Sequence, residues 1–252
     1  MPHAGICAHT LHVYPDLERL SEAAAERWIA LSQEAFARHG AFHVALAGGS
    51  TPKRLYQLLA HAEYRKRIDW TRVQFYFGDE RAVPPTHADS NFRMAQEALL
   101  AHLDIPVDNI HRMAATPEHI EQDAADYAAL LRAHLPCDTA GTPVFDLMLL
   151  GMGADGHTCS LFPGSPILHE RVRSVGTVYV ERLQSWRLSL TYPVLDAARH
   201  VLFLVAGPDK AAMLRQICHP DTSAPVVPVQ GLRPRGQLEW YLDAPAAAEL
   251  NP

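Results

Sequence analysis

The chain has 252 residues, 48% hydrophobic and 20% charged, an ordinary globular balance and enough length to bury a core without metal or disulfide staples. A net charge of −6 excludes the broad basic field of a nucleic-acid binder, so positive charge for any anionic ligand must be local. No apolar run of about 18 residues offers a membrane span, and the first twenty residues show no leader pattern. Cys7, Cys137, Cys159 and Cys218 stand too far apart for a zinc knuckle or a disulfide framework, which fits a reducing cytoplasm.

Asp16 to His39 reads as an amphipathic helix, with Leu17, Leu20, Ala24, Trp28, Leu31, Ala35 and Phe36 at helical spacing and Gly40 as its stop. Phe42 to Ala47 is a buried-strand candidate that ends in Gly48-Gly49-Ser50-Thr51, and Pro52 then opens a helix to about Ala60. Val73 to Phe77 is a second strand, running into a loop of Gly78-Asp79-Glu80-Arg81. Helices are predicted from about Ser90 to His102 and from Thr116-Pro117 to about Leu135. Phe145 to Leu150 is a strand that breaks at Gly151-Met152-Gly153. Strands near Val175–Val180 and Val201–Val205 follow, and the second leads through Gly207-Pro208 into a helix ending near Cys218. Residues 219–236, with several prolines, read as an irregular connection. This alternation predicts an α/β fold whose mainly parallel sheet is covered by helices on both faces.

Open parallel sheets bind ligands beyond the carboxyl ends of their strands, and three strands here end in glycine plus polar residues. In the first such segment, Gly48 and Gly49 allow close backbone approach, Ser50 and Thr51 bring hydroxyls, and a helix N-terminus presents free N–H groups to an anion. A turn that needs glycine only for its geometry would look the same. In the second, Asp79, Glu80 and Arg81 suit either a surface ion network or contacts to sugar hydroxyls, phosphate or a developing oxyanion. The third, Gly151-Met152-Gly153-Ala154-Asp155-Gly156-His157, formally matches a dinucleotide fingerprint. That pattern requires an uninterrupted helix immediately afterwards. Phe162-Pro163-Gly164-Ser165-Pro166 would cut such a helix short, so no nucleotide cofactor is expected. The better reading is a glycine-shaped turn in which the Asp155 carboxylate orients the His157 imidazole for general-base work. Among 15 histidines, His157 stands apart by its place at a glycine-rich strand end. No histidine array of metal-ligand spacing and no G-x-S-x-G elbow is present, so neither a metal nor a serine nucleophile is expected. Arg187 and Lys210 each lie at the edge of an apolar segment, where they fit solvated charges or phosphate ligands.

The segments AGGSTPKRLYQLLA, FYFGDERAVPPTHADSN, FDLMLLGMGADGHTCSLFPG, RLSLTYPVLDAARHVLFLVAGPDKAAML and LEWYLDAPAA resemble the successive blocks of the 6-phosphogluconolactonase family, in the family's order. The resemblance implies a Rossmann-like single domain over residues 1–252 and hydrolysis of 6-phospho-D-glucono-1,5-lactone in the oxidative pentose phosphate pathway. It implies His157 as general base beside Asp155, and Gly48, Gly49, Ser50 and Thr51 around the phosphate with Arg187 and Lys210. Asp79 and Arg81 match the family's second active-site block. Ala154 stands where proline is usual and Cys159 where alanine is usual; neither change removes a functional group. The implied partner is a phosphorylated sugar lactone, handled by a monomer or small homo-oligomer, with no nucleic acid, membrane, cofactor or metal. Two other readings are an isomerase/deaminase of glucosamine 6-phosphate and a non-catalytic sugar-phosphate sensor. Against the first, Ser160-Leu161-Phe162-Pro163 lacks the carboxylate of the deaminases' F-N-E-P block, and Asp-Glu-Arg replaces their Asp-Glu-Tyr.

Overall fold

A computed structural model of the chain describes residues 10–219 and 225–250. Cys7 and residues 220–224 of the proline-rich connection lie outside the described residues. In chain order the elements are β1 (Thr10–Tyr14), α1 (Leu17–His39), β2 (Phe42–Leu46), α2 (Ser50–Ala60), α3 (Ala62–Arg65), β3 (Val73–Phe77) and β4 (Asp79–Arg81). There follow α4 (Asn91–Ala98), α5 (Ile120–His134), β5 (Leu147–Leu150), β6 (Val175–Val180), β7 (Ser185–Leu190), α6 (Tyr192–Ala197), β8 (His200–Val205), α7 (Ala211–Cys218) and β9 (Gln237–Asp243). No helix among the described residues is long and apolar enough to cross a membrane.

Six strands form one sheet in the order β1-β9-β8-β5-β2-β3, every neighbouring pair parallel. Helices flank it. The central strands β2, β5 and β8 are buried almost throughout, as continuous apolar runs in a doubly covered sheet should be. Trp28 of α1 packs edge-on to Phe42 and beside Phe75, while Phe203 and Trp240 stack 3.9 Å apart across β8 and β9. These rings are fully or nearly fully buried; removing one such side chain typically costs about 3–5 kcal/mol.

The elements follow from local chemistry. The Asp16 carboxylate accepts the Arg19 N–H at 2.9 Å to start α1, which ends where Gly40 N–H donates to the Phe36 carbonyl. Helix α2 begins at Ser50, two residues before the expected start, so Pro52 occupies its third position. There its missing N–H still costs nothing, because the first-turn amides have no partner inside the helix. The Ser90–His102 segment breaks at Leu99 into α4 and a 3₁₀ turn, and Pro117–His119 is 3₁₀ before α5 begins.

Two expectations about strands need correction. Asp79–Arg81 is a strand rather than a loop, and Val175–Val180 lies outside the parallel sheet. Both belong to a second, antiparallel sheet ordered β4-β7-β6, anchored where Leu190 N–H donates to the Gly78 carbonyl at 2.8 Å. Periodicity marks a strand without naming its partner, and the pairing of β6 with β7 is set by the hairpin between them. Strands β1, β7 and β9, and the short helices α3 and α6, come in addition to the elements expected from periodicity.

Near the amino-terminal end of the sheet, the buried His43 and His111 flank Tyr76, whose hydroxyl lies 3.3 Å from His43 Nδ1 and whose ring stacks on His111. Burial chiefly pushes both histidines down to about 4 from the ordinary 6.5, so the folded protein keeps them neutral. Between those values the unfolded chain binds protons that the folded one does not, so their contribution is lost as pH falls from 6.5 toward 4. At about pH 5 each histidine is expected to remove about 2 kcal/mol, several degrees of Tm. Thermal melts from about pH 7 to about pH 5 should show this decline, and His111→Gln should make it shallower; equal slopes would assign the acid sensitivity elsewhere.

Candidate active site

In the sheet order, β2 and β5 are neighbours, and the next strand that each half of the chain adds to this sheet lies on the opposite side, β3 beyond β2 and β8 beyond β5. That is the topological switch point at which α/β sheets open a crevice. A cleft of ≈ 240 Å³ lies there, lined by Gly48, Gly49, Ser50, Thr51, Asp79, Arg81, His157 and Lys210 among others. Eight of the ten residues expected at the site therefore meet around one cavity. Asp155 stands directly behind His157, and Arg187 lies outside the lining.

The first wall is the N-terminus of α2. Gly49 precedes it with φ +102°, a conformation that side-chain-bearing residues rarely adopt. The backbone N–H groups of the first turn thus face the cleft end of the helix, the arrangement that favours an anion. Tyr56 fixes this wall from below: its hydroxyl donates to the Ala47 carbonyl and accepts the Ala47 N–H, both at 2.9 Å. Lys210 closes the opposite side, following Gly207, whose N–H donates to the buried Asp243 carboxylate at 3.0 Å.

The second wall is β4. Asp79 is nearly buried, accepting from Ser160 Oγ at 2.6 Å and from Asn91 Nδ2 at 3.1 Å. Glu80 lies outside the cleft lining. Its carboxylate accepts the N–H groups of Arg81, Asn91 and Phe92 and the Ser90 hydroxyl, which makes it a staple for the start of α4. Burial outweighs those hydrogen bonds and raises the Glu80 carboxyl above its ordinary range. Asn91 and Ser160 are the supporting residues that sequence reasoning missed; each looks like an ordinary polar loop residue until the fold brings it to Asp79. Arg81 donates from Nη1 to the Asp89 carbonyl at 2.5 Å and keeps its buried Nε without a partner. Arg187 is its cross-strand neighbour on β7, also with an unpartnered buried Nε. Burial, and then Arg81 alongside, lower the Arg187 guanidinium from its ordinary value.

The third wall carries His157. No helix follows the glycine-rich turn, as expected for a segment that is not a dinucleotide fingerprint. The turn closes on itself through Gly153 N–H to the His157 carbonyl and Gly156 N–H to the Gly153 carbonyl. Those two amides, and that of His157, which donates to Asp155 Oδ1, are thereby committed. His157 Nδ1 lies 2.5 Å from the same Asp155 oxygen. Burial alone would raise the Asp155 carboxyl, but the hydrogen bond and charge of His157, with Arg182 beyond, hold it below its usual range. An ionised carboxylate only accepts, so Nδ1 is the donor of this pair and Nε2 is the ring nitrogen left for another partner. Cys159 also lines the cleft; burial, and then Asp79, push its thiol well above the usual pKa, so it stays an unreactive thiol.

A helix N-terminus, a carboxylate–imidazole pair and the Arg81 guanidinium meet around one small crevice, the layout of an α/β enzyme cleft. Similarity to known proteins specifies it further. Residues 15–240 match the family described as glucosamine-6-phosphate isomerases/6-phosphogluconolactonase, and the chain belongs to that family. A 6-phosphogluconolactonase of Synechocystis is 41% identical over 221 residues, covering 87% of this chain and 89% of the relative. The solved 6-phosphogluconolactonase of Leishmania guyanensis superposes with TM-score 0.86 at 31% identity, over 97% of this chain and 99% of that one. A monomeric glucosamine-6-phosphate deaminase, 18% identical with TM-score 0.80 over 95% of this chain and 99% of its own, shares the fold.

A Cβ on Gly153 would sit 2.1 Å from His157 Nδ1 and 2.6 Å from Asp155 Oδ1. Gly153→Ala must therefore force the pair apart, and a misplacement of about 1 Å typically costs about 10²-fold in rate. Steady-state kinetics should show that loss in kcat with little change in Tm; an unimpaired kcat would mean the pair's spacing is unimportant.

Proposed function

We propose that the chain hydrolyses 6-phospho-D-glucono-1,5-lactone to 6-phospho-D-gluconate, the lactonase step of the oxidative pentose phosphate pathway. The observation that carries this reading is the meeting of the Asp155–His157 pair and the α2 N-terminus in one cleft at the sheet's switch point. The family membership and the lactonase relatives support it from outside the geometry.

In this reading the phosphate rests on the Gly48–Thr51 turn, with Lys210 as its cation and Arg187 reinforcing the field from behind Arg81. Asp79, held by Ser160 and Asn91, accepts from the sugar hydroxyls. Binding the remote phosphate positions the lactone carbonyl, so affinity is turned into orientation. His157 Nε2 takes a proton from water as its oxygen bonds to the carbonyl carbon, and Asp155 stabilises the imidazolium that forms. The carbonyl electron pair becomes an oxyanion, which Arg81 faces with unspent donors. Collapse reforms the carbonyl, breaks the bond to the ring oxygen, and returns the proton from His157 to that oxygen. The product acid then ionises, releasing one proton to solvent.

The reading extends to one domain across 1–252 working in the cytoplasm; one contiguous hydrophobic cluster joins both sheets. Proton release from enzymatically generated lactone, corrected for spontaneous opening, tests the activity directly. Glucosamine 6-phosphate assayed in parallel should release no ammonia. His157→Ala should lower kcat by roughly 10²–10⁴. Ammonia without acid would replace the lactonase by its deaminase relative, and ligand-induced stabilisation without turnover would leave a sensor.

A further inference from the structure

The Asp155 carboxylate stands between two cavities. On one side is the cleft with His157; on the other is a groove of ≈ 820 Å³ lined by Asp155, Phe162, Thr177, Tyr179, Arg182 and Trp186, among others. No wall of packed side chains therefore holds Asp155 from behind. What reaches it there is Arg182, at the tip of the hairpin joining β6 to β7, 27 residues along the chain. Arg182 Nη2 donates to Asp155 Oδ2 at 3.1 Å, leaving Oδ1 to His157. The same guanidinium lies 5.4 Å from the centre of the Phe162 ring, and that ring packs 4.5 Å from the imidazole of His157. One aromatic side chain thus touches both the base and the residue that steadies its partner.

The base of Arg182 is itself fixed. Residues Glu181–Leu183 form a 3₁₀ turn closed by Gln184, whose N–H and side-chain amide both donate to the Glu181 carbonyl. The Tyr179 hydroxyl then donates to Gln184 Oε1 across the hairpin. A surface ion pair of this exposure contributes little to stability. Its geometric effect is larger, because an imidazole base must keep its tautomer and direction to within a fraction of an ångström.

We propose that Arg182 is a positioning residue for the reaction: it pins the second oxygen of Asp155, so that the carboxylate presents the first to His157 and cannot swing into the groove. The inference rests on the lactonase reading for its kinetic consequences, but the positioning itself does not.

Arg182→Gln should lower kcat about 5–30-fold with KM nearly unchanged and Tm unmoved. Loss of a cation beside the pair favours the imidazolium, so the acid limb of kcat/KM should move to higher pH. The other charged groups facing His157, namely Asp155 on its own turn, Asp79 and Arg81 on β4, and Lys210 after β8, remain in place as the unchanged background. Arg182→Lys should recover part of the rate, and in an Asp155→Asn background Arg182→Gln should add no further loss. Independently of turnover, the downfield proton resonance of His157 Nδ1 should broaden or shift in Arg182→Gln. An unaltered acid limb and resonance would overturn the proposal, as would an equal loss in the Asp155→Asn background or a change confined to KM. An inactive native enzyme whose resonance still responds to Arg182→Gln would instead remove the lactonase reading and keep the positioning role.

Discussion

The pairing of β2 with β5 is the constraint on which the rest of the site depends. Val44 lies opposite Leu147 and Ala45 opposite Met148, so two strands a hundred residues apart end side by side at the same edge. Each is an apolar run that cannot stay in water, each ends in a glycine-rich turn, and the strands that flank the pair, β3 and β8, lie on opposite sides. The crevice between those turns arises from that arrangement. The α2 N-terminus and His157 meet because the sheet changes direction between them.

Around that crevice the charges are managed by burial and partnership rather than by number. In a chain of net charge −6, Arg81 and Lys210 line the cleft with the α2 N-terminus, and Arg187 stands beside Arg81 on the next strand. The acids nearby are restrained. Asp79 is tied by Ser160 and Asn91, Glu80 is consumed by the start of α4, and Asp155 is shared between His157 and Arg182. The small antiparallel sheet brings this about, since β4 presents Asp79 and Arg81, β7 presents Arg187, and the β6–β7 hairpin delivers Arg182.

Much of the site is legible in the amino-acid sequence. Glycine and polar residues at the ends of apolar runs pick out the Gly48–Thr51 turn, Asp79, Arg81, Asp155 and His157, because close approach and helix-terminal amides have local signatures. The carboxylate two residues before the imidazole is readable for the same reason: a tight turn closes that distance without help from elsewhere. Glu80 is not readable. Its neighbours Asp79 and Arg81 line the cleft while it turns to the start of α4, and only strand alternation in a sheet with no obvious signature separates them.

What the sequence by itself determined is therefore the set of elements and the chemistry parked at their ends, since helical spacing, apolar runs, caps and turns are governed by residues within a few positions of one another. Tertiary structure alone decided the strand order, the second sheet, the supports Asn91 and Ser160, and the reach of Arg182 to Asp155. Those depend on which distant segments bury their faces together. Local periodicity reports that a face is apolar, but not against what it will pack.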